Sequence, residues 1–174
     1  ARLFNIMDGF TRKLYNDIRT LKSRIFRLEV GGASDGYVSD SSIDENQYKG
    51  ELLFAGTASH SEVTKGALVY LDDGEQWRRT CAGNTEHGVG NLVGIAISSS
   101  PHVEGIIVQG TYRVSSTYRD GNFTVGAQIY MHTTSSGSMT STVPTLSGHI
   151  VRVVGQAVKS DMIYVNPSPD FLEI

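Results

Sequence analysis

Along residues 1–29 apolar side chains recur at alternating spacings of three and four, the pattern that winds helices around one another. Phe4, Met7, Leu14, Ile18, Leu21, Ile25 and Leu28 fall on the a and d positions of one heptad register, and Thr11 takes the remaining place. In a parallel assembly each g residue faces the next e residue of a neighbour. That pairing sets Asp17 against Lys22, Arg24 against Glu29, and Phe10 against Tyr15. The outward positions are Arg12, Lys13, Asn16, Arg19, Thr20, Ser23 and Arg27, with Phe26 as the exception. A lone amphipathic helix lying on its own domain would show the same stripe. The segment that follows, GGASDGYVSDSSIDEN, is rich in Gly, Ser and Asp, so it stops the helix and separates the stripe from the rest of the chain. The pattern therefore predicts a parallel coiled coil over residues 1–29 and a polar linker over 30–49. Ile at a with Leu at d suits two strands, whereas Phe10 and Tyr15 widen the apolar face toward three. A homotrimer is favoured, and a dimer is the alternative.

Beyond the linker the period shortens and the chain repeats itself. Gly50, Thr64, Gly66, Ala67 and Tyr70 are matched by Gly110, Thr124, Gly126, Ala127 and Tyr130, sixty positions on. After a slip of one residue, LVGIAIS lies over VVGQAVK, so that Val93, Gly94 and Ala96 match Val154, Gly155 and Ala157. Short β-branched and aromatic runs separated by Gly, Ser, Asp and Asn predict a β-sandwich or small barrel over residues 50–174. It would be built from two similar units, about 50–109 and 110–174, and the chain as a whole is mainly β with one amino-terminal helix. The shared residues are Gly, Ala, Val and Tyr, which carry backbone geometry and packing, not acid, base or nucleophile.

Length and composition add limits. A chain of 174 residues with 39% apolar content supports one ordinary domain and an arm. No run approaches the ~18 apolar residues of a membrane-spanning helix, the amino end lacks the apolar core of a signal peptide, and Ala1 fits removal of an initiator Met. The net charge of -3 divides unevenly: seven basic and three acidic residues give residues 1–29 a charge of +4, which leaves -7 for the remainder. The basic side chains are spread round the outer face and used in the g–e pairs, so nucleic acid is not an expected partner.

The search for chemistry yields little. His60, His87, His102, His132 and His149 are dispersed, although one of them near a threefold axis would appear three times and could hold an ion. Cys81 and His87 form a candidate nucleophile and base, yet nothing marks an oxyanion hole, and the single Cys excludes an internal disulfide. DSSIDEN carries acidic oxygens without the spacing of a calcium loop. Tyr112, Tyr118 and Phe123 flank the loop SSTYRDGN and are the candidates for a surface recognition platform. No cofactor, metal or catalytic residue is assigned.

The carboxy-terminal half resembles the closing segment of structural proteins from tailed bacteriophages. The motifs that carry the likeness are the Gly-x-x-Ile-Tyr strand at residues 126–130, the Ser/Thr/Gly turn leading to a T..P loop at 140–144, the strand G..VRVVG at 148–155, and IYV.P at 163–167 with its acidic-apolar tail; residues 66–97 share in it. The resemblance implies a non-enzymatic virion protein, made in the host cytoplasm, whose partners are its own copies and other capsid or tail proteins. A coiled-coil arm before such a head favours a projecting fibre, with capsid decoration close behind. A carbohydrate- or receptor-binding module of a tail or baseplate is the rival reading.

Overall fold

The computed structural model describes residues 43–83 and 92–174. The heptad positions, the g–e pairs, most of the linker and His87 lie outside the described residues. Within them the protein is mainly β. The strands are β1 (Tyr48–Leu53), β2 (Ala58–Ser59), β3 (Leu68–Leu71), β4 (Gln76–Arg79), β5 (Val93–Ala96), β6 (Ile106–Arg113), β7 (Gln128–Met131), β8 (Met139–Thr140), β9 (Ile150–Val151), β10 (Val153–Lys159), β11 (Met162–Val165) and β12 (Leu172–Glu173). One helical turn, α1 (Pro101–Glu104), precedes β6, and a 3-10 turn (Ser116–Tyr118) follows it. Ten strands form a large mixed sheet with the order β2-β4-β3-β5-β6-β11-β10-β7-β8, with β1 paired to β6; β9 and β12 form a separate pair.

The longest strand, β6, holds this arrangement together. β1 runs along it from Tyr48↔Tyr112 to Leu53↔Ile106, β5 joins it at Ile106 and Ile107, and β11 joins it from Gly110 to Arg113. At the crossing Gly50 faces Gly110, and a Cβ on either would fall on a backbone oxygen of the other strand, Gln109 or Lys49. Only glycine permits this approach. The unit boundary expected at residues 109 and 110 therefore falls inside a continuous strand, not in a loop.

Contacts recur at matched positions on either side of β6. The N–H of Gly66 donates to Ala96 O at 2.8 Å, and that of Gly126 to Ala157 O at 2.9 Å. Ala67 and Ala127 each donate to the Thr three residues earlier and accept from Ala96 and Ala157. Val69 lies opposite Gly94 as Ile129 lies opposite Gly155, and Leu71 opposite Trp77 as Met131 opposite Met139. The parallel contact Ser59↔Trp77 has its counterpart in Arg119↔Met139, and in both the next residue, His60 or Asp120, donates to the same partner's carbonyl. Gly66 and Gly126 both hold positive φ, +91° and +84°.

The core is continuous across the large sheet. Trp77, Tyr70, Leu68, Ile95, Ile106, Ile107, Tyr112, Ile129, Met131 and Met139 are all buried. At ~25 cal/mol per Å² of apolar surface, such residues supply the main stabilisation. Residues 43–49, assigned to the linker by their composition, belong to this head. Ile43 is buried, Asn46 N–H donates to Arg113 O at 2.9 Å, and Tyr48 begins β1. The polar residues of DSSIDEN concealed one apolar anchor and a set of specific partners.

Alanine at the two matched glycines should separate backbone strain from crowding. Gly126→Ala meets nothing within 4 Å, so only its positive φ resists, at about 1–2 kcal/mol. Gly66→Ala would also set Cβ 2.7 Å from Asn46 Oδ1, and the overpacking should add roughly 1–3 kcal/mol. Urea unfolding of the two variants reads the difference directly; equal losses would count against the crowding.

Candidate functional site

The residues predicted to form a surface platform are brought together, but inside the protein. Tyr112, Tyr118 and Phe123 are 0%, 6% and 3% exposed, which corrects the expectation of an aromatic recognition surface. The apolar spacing around SSTYRDGN signalled packing. The 3-10 turn after β6 folds Tyr118 back over the first half of the sheet, where the Arg79 guanidinium stands 5.4 Å from its ring centroid. The Tyr118 hydroxyl hydrogen-bonds Thr64 Oγ1, which also accepts from Arg79 Nη2 at 3.0 Å. Beside it Tyr112 OH donates to Asn46 Oδ1 at 3.1 Å. Burial, with smaller contributions from Tyr118 and Glu45, pushes the Tyr112 hydroxyl well above the ordinary tyrosine range. It stays protonated and acts as a donor. Gly137, from the turn between β7 and β8, closes the cluster against Arg79, Ala67 and Tyr118.

The charged side chains hold turns and chain ends in place. Asp72 Oδ1 accepts the N–H groups of Gly74 at 3.0 Å and Gln76 at 2.8 Å, and Oδ2 accepts Arg78 Nε at 2.6 Å. Arg113 Nε donates to Asp161 at 2.8 Å while Nη1 donates to Ile43 O at 2.8 Å, so one guanidinium ties the start of the described head to the turn before β11. Arg152, 5% exposed, donates from Nε to Ser168 O at 2.8 Å and fixes the segment leading to β12.

Two imidazole contacts were not legible in the sequence. Ser59 Oγ lies 2.8 Å from His102 Nδ1, joining β2 to α1 across 43 positions with no motif to signal it. A nucleophile and base of this kind need a third group to orient the ring. Among the described residues no carboxylate bonds the other nitrogen of His102, and the pair reads as a tie between two short elements. His132 Nδ1 accepts from Thr134 N–H at 3.2 Å and Ser135 N–H at 2.9 Å, which directs Nε2 toward Asp120 Oδ2, 3.7 Å away. Nδ1 is thereby occupied in the turn that follows β7. His60 lies 3.8 Å from Glu62, and His149 Nδ1 is buried without a partner among the described residues. Cys81 is half-buried; its proposed partner His87 lies outside the described residues. No group of three or more His, Cys, Asp or Glu among the described residues could hold a metal ion, and no described helix is long and apolar enough to cross a membrane.

What the arrangement does best is hold two parts of a sheet in register around β6. The chain matches no protein-family profile, no curated protein and no solved structure.

Asp72 provides a pH test of that structural role. Burial acts to raise its pKa, but the N–H bonds of Gln76 and Gly74 and the Arg78 guanidinium outweigh it and hold the carboxyl below its ordinary value. A depressed folded-state pKa contributes stability that is full above the unfolded carboxylate pKa and is lost as pH falls through the folded value. Asp72→Asn should therefore lower the urea midpoint at neutral pH and converge on the parent protein in strong acid. A gap that stays constant with pH would assign the loss to something other than the charge.

Proposed function

We propose that this chain is a non-enzymatic structural protein of a tailed-bacteriophage virion, an oligomeric short fibre or capsid decoration whose amino-terminal arm joins its copies and attaches the head. The observation that carries the reading is the use made of the reactive side chains. Tyr112, Tyr118, Arg79, Asp72, Arg113 and His132 are spent on internal ties, not gathered in an open site. The likeness of residues 126–130, 140–144, 148–155 and 163–167 to phage structural proteins supports the same class. The contacts repeated about β6 support a head of two equivalent units, one ending and the other beginning within that strand. A carbohydrate- or receptor-binding module loses its main support, because the aromatics offered as its platform are buried.

In this reading the partners are copies of the chain and other virion proteins, and no cofactor is required. The seam of Phe4, Met7, Leu14, Ile18, Leu21, Ile25 and Leu28 sets a homotrimer, with Asp17–Lys22 and Arg24–Glu29 fixing the alignment between chains.

Changing both Ile18 and Ile25 to Asp places two charges per chain in that seam, each costing roughly several kcal/mol of desolvation. Light scattering of the doubly changed protein should read the mass of one chain, with the β signal in circular dichroism retained. An unchanged mass would move assembly out of the arm and overturn its assignment. Labelling of intact particles under the electron microscope tests the virion location, and particles without label would count against it.

A further inference from the structure

The matched faces of the two units differ in what covers them. On the first, Ala67 and Leu68 are fully buried and Gly66 faces Asn46, Tyr112 and Tyr118. Much of the cover comes from the second unit: Gly137 accepts the N–H of Leu68 and donates its own to Thr80 O, each at 2.8 Å, wedging the β7–β8 turn against the ends of β3 and β4. On the second unit the corresponding positions are less covered, with Ala127 half-buried. Gly126 has nothing within 4 Å, Val125 is 64% exposed, and Gln128 stands exposed where the first unit has Leu68.

The first unit carries the counterpart of the wedge. Register equates Trp77 with Met139, so Glu75 corresponds to Gly137, and both hold positive φ, +58° and +83°. The β3–β4 turn bearing Glu75 is exposed at Asp73, Gly74 and Glu75. We propose that copies of this chain meet head to tail, the β3–β4 turn of one seated on residues 124–128 of the next, in the place the β7–β8 turn takes on the first unit; Glu75 N–H and O are already bonded to Asp72 and Thr57, so side chains of the turn make this contact instead of the backbone pair that Gly137 makes. The occupant is a second copy because its counterpart already fills the matched face on the first unit.

Charge agrees with this choice. The turn offers Asp73 and Glu75; residues 124–128 contain no acid, and Lys159 lies two residues past Ala157, the acceptor for Gly126 N–H. Gln128 in place of Leu68 makes the outer contact polar where the inner one is sealed, as suits a surface that is wet before assembly. A contact between two different patches is heterologous and either closes into a ring or runs on. With three chains it closes as six units, and this step rests on the trimer read from the arm, which raises the local concentration of heads.

The test uses the full chain in a Cys81→Ser background, with Asp73→Cys and Gln128→Cys introduced together and a short bismaleimide added. Denaturing gels should show a ladder of two and three chains ending at three, absent from either single-cysteine protein. A ladder running past three supports the contact and rejects closure into a trimer. If only single chains appear while light scattering of the untreated protein reads three, the head-to-tail contact is overturned and the trimer stands. Single chains by both measurements overturn the two together.

Discussion

Two backbones touching at Gly50 and Gly110 set the rest of the structure. A Cβ on either glycine would collide with a carbonyl of the opposing strand, so the close crossing of β1 and β6 exists only because both positions lack one. With β1 held there, the other edge of β6 serves β5 at one end and β11 at the other. The two groups of strands thus share a backbone instead of being joined by a flexible loop. The polar ties around Tyr112, Tyr118 and Arg113 secure this arrangement at its seams.

Those ties also explain why the head looks poor in chemistry. An arginine over a tyrosine ring and a carboxylate accepting three hydrogen bonds are engaged within the head. The same groups gain in rigidity, because buried polar groups held by specific partners favour one arrangement over its competitors. Arg152 extends that logic to the carboxy-terminal segment, where a buried guanidinium meets the carbonyl of Ser168.

Backbone requirements were the legible part of the sequence. Gly66 and Gly126 and the VG-x-A strands could be placed because glycine announces geometry over a few positions. Side-chain destinations were not legible in the same way. Tyr118 and Phe123 sit in a loop rich in Ser, Asp and Gly, and composition alone does not distinguish an aromatic that caps a core from one that faces solvent. Residues 43–47 look solvated in sequence, yet Ile43 is anchored through partners 70 positions away in the chain. The Ser59–His102 pair was invisible for the same reason: contacts between distant residues leave no local periodicity. That β6 crosses the expected unit boundary is not legible either, since a repeat shows equivalence but not where one copy stops.

The shared strand also has a consequence for synthesis. As the chain leaves the ribosome, β1 emerges well before β6, its only named ladder partner among the described strands, and β5 must wait for the same strand. The first unit therefore cannot close its sheet as an early, independent domain. Completion of β6 delivers the last strand of one unit and the first of the next in a single stretch, so the nascent head passes from open to committed over a few residues of translation. Such non-local pairing slows folding and leaves strand edges unprotected meanwhile.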